Sequence, residues 1–290
     1  MKEIESFIEY LDFEKRFSKH TSLNYEIDLK EFLEFQKKDI NSIDINDIRE
    51  YLKFLYDKKY SNATISRKVS SLKSFFKYLS GENKIQENPM LLISNPKKEK
   101  KLPNFLNYED LEKLLNIPDL KISDGQRDAL IMEMLYSTGI RVSELVNIKI
   151  KDIDFTDEKI IILGKGDKER YVYYGSKCQN LLKLYLKEGR KDLPQSEYLF
   201  TNKHGNKIND RVIRMIIERN TKLAGIKQHV TPHTLRHTYA THMLNEGADL
   251  KSVSDLLGHE NLSTTQIYTH VSNERLRNVY LNSHPRAKKR

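Results

Sequence analysis

Apolar positions return every three or four residues along the first third of the chain. Ile4, Phe7, Ile8 and Leu11 follow the i, i+3, i+4, i+7 spacing of an amphipathic helix, and Ile48, Tyr51, Leu52 and Leu55 repeat it. Leu29, Phe32 and Leu33 give a shorter stretch. Ile65, Val69, Leu72, Phe76 and Leu79 give a longer one, which Gly81 is expected to end. The pattern predicts four helices with lysine-rich outer faces, and a solvated face accounts for much of that charge. The stretch NPKKEKKLPN, 95–104, then brackets a charge run with two prolines, the composition of a linker. The expected organisation is a helical domain over 1–95, a linker over 96–107 and a second domain over 108–290.

In the second domain, Asn107 and Asp110 read as a capping box opening a helix over 108–115. A longer helix is expected from about 124 to 137, stopped at Thr138-Gly139. Between 150 and 174 the period changes: IIIL, then GKGD, then RYVYY, which is two strands around a tight glycine-containing turn. Helical patterning resumes to the C-terminus. The predicted fold class is mainly α, with a small antiparallel β-sheet inside the second domain.

Composition narrows the partner. The 290 residues leave room for two domains, and 38% of them are hydrophobic, enough for cores. Lys and Arg number 50 against 41 Asp and Glu, a net charge of +9 that favours an anionic partner, nucleic acid ahead of a membrane surface. The single cysteine, Cys178, excludes an intramolecular disulfide and suits a reducing cytoplasm. The opening MKEIESFIEYLDFEK is charged throughout, so no signal peptide is expected. No stretch approaches the ~18 apolar residues of a membrane span. A cytoplasmic protein with no membrane partner is the expectation.

Candidate chemistry lies in the second domain. In TPHTLRH, 231–237, Thr231 is a suitable N-cap and Pro232 a suitable first helical residue. His233 and Arg236 then share one helix face close to an N-terminus, where free N–H groups and the helix dipole favour phosphate. Arginine adds a planar fork matched to two phosphate oxygens. The plainer alternative is a capped surface helix with incidental His and Arg. A zinc site from His233, His237 and His242 is a rival, but Thr234 occupies the position of the catalytic glutamate of H-E-x-x-H. In TGIRVSEL, 138–145, Arg141 follows a helix-ending glycine and has Glu144 three residues on as a local ion-pair partner. Lys165 sits in GKGDKER, where solubility alone would explain a turn lysine, and no P-loop pattern is present. In LLGHENLSTTQIYTHV, 256–271, His259 follows Gly258, and Ser263 is placed to cap a helix carrying Tyr268. Taken alone, Tyr268 reads as a packing residue.

Together these segments resemble the tyrosine recombinase (lambda-integrase-like) family, and within it the Xer group. The order is Arg in TG-x-R, Lys on a hairpin, H-x-x-R, LGH, and Tyr nine residues later: Arg141, Lys165, His233 and Arg236, His259, Tyr268. The likeness is densest over 230–290, includes the ending HPRA, 284–287, and extends to length and domain order. The resemblance implies a helical core-binding (SAM-like) DNA-binding domain, a linker and a catalytic domain, with no cofactor, metal or ATP. It implies Tyr268 as nucleophile, giving a 3′-phosphotyrosine and a free 5′ hydroxyl, and Lys165 as the acid that protonates the leaving oxygen. Arg141 and Arg236 would clamp the phosphate, with His259 or His233 donating a further hydrogen bond. Tyrosine has an ordinary pKa of about 10 and needs a base, for which His233 is the candidate. Each hydrogen bond to a charged group contributes roughly 1.5–3 kcal/mol, about one to two decades of rate.

The expected partners are a double-stranded DNA recombination site, a homo- or hetero-tetramer with a sister recombinase working through a Holliday junction, and a DNA translocase of the division machinery. The segment 272–283 is expected to dock on a neighbouring protomer, and the Tyr268 helix to be displaced without DNA. The alternatives are a mobile-element integrase, a type IB topoisomerase-like enzyme and a non-catalytic DNA-binding protein. No integrase arm-binding domain is expected before a first helix near Ile4, which favours the Xer group only in part, since some short integrases also lack that domain.

Overall fold

Helices α1 (Lys2–Phe13), α2 (Lys19–Gln36), α3 (Ile45–Asp57) and α4 (Asn62–Gly81) form where the apolar repeats run. Short polar side chains start three of them: Ser18, Asp44 and Ser61 each accept from backbone N–H groups of the first turn. The computed structural model describes residues 2–15, 17–96, 104–164, 169–258 and 270–287. By contacts the chain divides into two compact units, Met1–Lys100 and Lys101–Arg290.

The first unit buries one apolar cluster, with Phe7, Phe32, Tyr51, Phe75 and Phe76 at its centre. Two details depart from the sequence pattern. α4 continues through Gly81, and the left-handed residue that follows is Asn83, φ 55°. Lys68 is buried rather than on a solvated face: its Nζ lies 3.1 Å from Asp28 and 2.8 Å from Glu31, joining α4 to α2. A buried cation needs such carboxylate partners.

The second unit is helical around a small sheet. α5 (Tyr108–Asn116) is capped by Asn107, whose side-chain oxygen accepts from the Asp110 N–H at 2.8 Å. The return half of the expected box is absent; the Asn107 amide donates to the Asp110 carboxylate instead. α6 (Ser123–Thr138) is almost wholly buried and forms the axis of the unit. The turn α7 (Val142–Leu145) leads to strands β1 (Ile153–Asp154), β2 (Lys159–Leu163) and β3 (Glu169–Tyr173). They form one antiparallel sheet in the order β1-β2-β3, with Ile161 opposite Tyr171. α8 (Ser176–Leu184), α9 (Asp210–Leu223), α10 (Pro232–Asn245), α11 (Leu250–Leu257) and α12 (His270–Ser283) complete it.

In the single chain the C-terminal segment packs on its own unit. Tyr280 and His284 are buried, and the His284 ring lies about 5 Å from the rings of Tyr136, Tyr239 and Tyr280. His284 Nδ1 accepts from the Arg286 N–H at 3.1 Å, so the imidazole is held neutral. Burial, aided by the Arg286 charge, lowers its pKa to about 3. The unfolded chain protonates this histidine near pH 6.5, while the folded chain resists until near pH 3. The contribution is therefore complete above pH 6.5 and is lost as pH falls below it. By about pH 5 the loss from this group is about 2 kcal/mol. Thermal unfolding across pH 5–8 should show a steeper acid loss for wild type than for His284→Phe. Parallel curves would contradict the assignment.

Candidate active site

Two arginines distant in sequence converge at the C-terminal ends of two helices. α6 stops because Gly139 takes a left-handed φ of 62°. A Cβ there would lie 2.7 Å from the Tyr239 ring and 2.9 Å from Leu257, so glycine is also what lets α6 end against α10 and α11. α11 stops in the same way at Gly258, φ 66°. Carbonyls at such ends lack helical partners and favour cations. Arg236 of α10 meets both ends: Nη1 donates to the Gly139 carbonyl at 2.6 Å and Nη2 to the Leu257 carbonyl at 2.8 Å. Arg141, just past Gly139, donates from Nη2 to the Gly258 carbonyl at 3.1 Å.

Glu144 completes the arrangement. Its Oε2 accepts from the Arg141 backbone N–H at 2.8 Å, and its Oε1 from Arg141 Nη1 at 3.0 Å. Thus the local ion pair expected from the i, i+3 spacing is present, and it orients Arg141 rather than replacing its other contacts. Burial alone would push Glu144 upward. Hydrogen bonds from Arg170, then its charge, then the Arg141 contacts outweigh burial and hold the carboxyl below the ordinary carboxylate range. Burial, and next the Arg141 charge, lower Arg236 to about 10, still protonated at neutral pH. Two like charges held side by side by fixed carbonyls make a place that an anion stabilises. The two described hydrogen bonds of Arg236 use two of its five N–H groups, so a further acceptor can be gripped without releasing the carbonyls.

α10 begins as its sequence predicts. The Thr231 side chain accepts from the Thr234 N–H at 3.1 Å, the Thr234 hydroxyl accepts from the Thr231 N–H at 3.1 Å, and Pro232 is the first helical residue. This fixes a clean N-terminal turn, with His233 exposed on it and Arg236 buried one turn later. Beside it lies a surface hollow lined by Asn104, His229, Thr231, His233, Thr234 and His237.

The structure thus brings Arg141 and Arg236 together and sets His233 three residues before Arg236 on the same helix. Lys165, His259 and Tyr268 lie outside the described residues, as does the expected displacement of the Tyr268 helix. Their flanks are described. β2 and β3 lead into and out of the segment with Lys165, and Gly258, the Arg141 acceptor, immediately precedes His259.

The zinc alternative loses its third ligand. His242 is buried, its Nε2 lies 3.1 Å from the Leu106 carbonyl and its Nδ1 3.0 Å from the Tyr136 hydroxyl. A carbonyl only accepts, so Nε2 carries the proton and Nδ1 accepts from tyrosine; neither nitrogen is open to a metal. Among the described residues, no cluster of three His, Cys, Asp or Glu could hold an ion.

Sequence reasoning missed Arg170. Its guanidinium grips Glu144 at two points, both 2.9 Å. A signal was present: by the period of two, Arg170 shares a strand face with the buried Val172, and an arginine facing inward needs a carboxylate.

Comparison with known proteins places these features in a family. Residues 104–275 match the model for the phage integrase family, and residues 4–83 match its N-terminal SAM-like domain. A protein named tyrosine recombinase XerC, from Anoxybacillus flavithermus, is 46% identical over 97% of this chain and 97% of its own length. The crystal structure of XerH recombinase bound to its palindromic difH substrate, a post-cleavage complex, is 30% identical, covers 90% of this chain and 79% of that one, and has a TM-score of 0.71. The Tn1549 transposon integrase shares the fold, with a TM-score of 0.74 at 22% identity over 94% of this chain and 97% of that one. None of the helices among the described residues is long and apolar enough to cross a membrane. The chain belongs to the phage integrase family and is a site-specific tyrosine recombinase, an enzyme that cleaves and rejoins DNA.

Proposed function

We propose that Tyr268 attacks a DNA phosphate gripped by Arg141 and Arg236, in a strand exchange that resolves chromosome or plasmid dimers. The observation that carries this reading is the pair of guanidinium groups fixed side by side on the carbonyls of Gly139, Leu257 and Gly258. A phosphodiester repels nucleophiles, and its transition state gathers charge on the non-bridging oxygens. Donors fixed in advance stabilise that charge without reorganising, and they accelerate the step to the extent that they bind the transition state better than the ground state.

In the cleavage step the Tyr268 hydroxyl gives its proton to His233 and its oxygen bonds to phosphorus. The bond from phosphorus to the 5′ oxygen breaks, and Lys165 supplies the proton that the leaving oxygen takes. His259 donates a further hydrogen bond to the phosphate. The 3′-phosphotyrosine conserves the energy of the broken bond, so the 5′ hydroxyl of the partner strand can reverse the step without ATP. Two such exchanges pass through a Holliday junction.

The bound species is a tetramer on two short sites, formed with itself or with a sister recombinase. A DNA translocase of the division machinery is the further partner, and the cytoplasm the place of action. The domain at 1–95, joined by the linker at 96–107 to the catalytic domain at 108–290, holds DNA chiefly through phosphate contacts, which makes binding strongly salt-dependent. Support comes from the net charge of +9 and from the XerC and XerH relatives.

A nicked suicide substrate carrying a Xer-type site tests the reading. Wild type is expected to form a denaturation-resistant protein–DNA adduct. Tyr268→Phe should bind the same DNA with similar affinity and form none. Adduct formation by the phenylalanine variant would contradict the proposal.

A further inference from the structure

Arg170 lies in β3, five residues past Lys165 in the chain, with its side chain mostly enclosed. Its two terminal nitrogens each hold one oxygen of Glu144, Nη1 on Oε1 and Nη2 on Oε2, both at 2.9 Å. Arg141 Nη1 reaches the same Oε1 at 3.0 Å. One buried carboxylate is therefore shared by two guanidinium groups, and Arg170 has the two-point side-chain contact. Nε, the third nitrogen of the Arg170 fork, is buried and has no hydrogen-bond partner among the described residues. It faces Gly258, where an added Cβ would come within 3.1 Å of it. Gly258 is also the residue whose carbonyl accepts from Arg141. Arg170 thus binds Glu144 and lies beside Gly258, the two residues that hold Arg141.

The electrostatic consequence follows from the fork geometry. A carboxylate engaged at two points by one arginine has little charge left for a second. With Arg170 in place, Arg141 keeps a single side-chain contact to Glu144 and retains charge and N–H groups for another anion. Without Arg170, both Glu144 oxygens are free to close on Arg141, drawing its guanidinium into a neutral pair. We infer that Arg170 is a positioning residue for DNA cleavage: by occupying Glu144 it leaves Arg141 available to the scissile phosphate, and by packing on Gly258 it fixes the start of the chain that runs to His259 and Tyr268. It also ties the strands flanking Lys165 to the arginine pair. The inference rests on the reading of Arg141 as a phosphate ligand.

Single-turnover cleavage of the nicked site at saturating protein separates chemistry from DNA binding. Arg170→Ala is expected to slow cleavage by roughly ten- to a hundredfold, with DNA affinity little changed. Arg170→Lys keeps the charge but not the fork and recovers only part of the rate. In a Glu144→Gln background, Arg170→Ala adds little further loss, because the carboxylate it restrains has lost its charge. A role in stability alone would show that dependence in thermal unfolding and leave the cleavage rate of the folded variants unchanged. If thermal unfolding shows that the alanine variant does not fold, Arg170→Lys in the two backgrounds carries the same comparison. Unchanged cleavage by a folded Arg170 variant, or an equal loss in both backgrounds, overturns the inference. Cleavage that survives Arg141→Ala overturns instead the reading of Arg141, whatever Arg170 does.

Discussion

Arg236→Lys is expected to reduce single-turnover cleavage by roughly 10²–10³-fold, the loss seen when a fixed donor is removed from a developing oxyanion. The substitution keeps a positive charge, so a charge-only account predicts a mild effect. The geometry predicts a severe one. Arg236 spans from the Gly139 carbonyl to the Leu257 carbonyl and still presents further N–H groups. An ammonium has three donors around one point and cannot cap both carbonyls while facing a phosphate. The buried carbonyl left unpaired adds a modest loss of stability, about 1–3 kcal/mol. Cleavage rate, DNA affinity and thermal unfolding measured on one preparation separate the two effects. A lysine variant that cleaves at the wild-type rate would show that Arg236 holds helix ends and nothing more.

The second large effect concerns the C-terminal segment. Arg286 is buried, with Nη1 2.8 Å from Glu112 and Nε 3.2 Å from Glu133, deep beside α6. Burial raises the Glu133 carboxyl and the Arg286 charge opposes that rise. Arg286→Ala leaves a buried carboxylate without its cation, a change that costs about 3–5 kcal/mol and lowers the unfolding temperature by roughly 10 °C in a unit of this size. Glu133→Gln added to Arg286→Ala should restore part of the loss, since removing both charges is milder than removing one. The loss in Arg286→Ala alone should also shrink at acid pH, where Glu133 takes up a proton. An additive double variant would mean that the pair does not interact.

What the sequence made legible was local. The apolar repeats place the four N-terminal helices, the change of period at 150–174 finds the hairpin, and the Thr231-Pro232 pair marks the start of α10. The Arg141–Glu144 pair was readable because its partners are three residues apart. That Arg141 and Arg236 come together was indicated only by family resemblance, because the contacts that hold them span the chain. Arg236 meets Gly139 across 97 residues and Arg170 meets Glu144 across 26. Helical and strand periods say which face turns inward, not which partner waits there. For the same reason a lysine-rich helix pattern does not single out the buried Lys68, and spacing alone leaves His242 open as a ligand, although the fold gives each a buried partner. Nor does the helical period of 272–287 reveal that, in the single chain, Tyr280, His284 and Arg286 are buried beside α6.

The most direct test of the account is to locate the covalent bond. Wild-type protein trapped on the nicked substrate can be digested and the nucleotide-bearing peptide sequenced by mass spectrometry. The account predicts one modified residue, Tyr268, joined to a 3′-phosphate, with a free 5′ hydroxyl on the released strand. A bond at another residue, or a linkage to a 5′-phosphate, would contradict it.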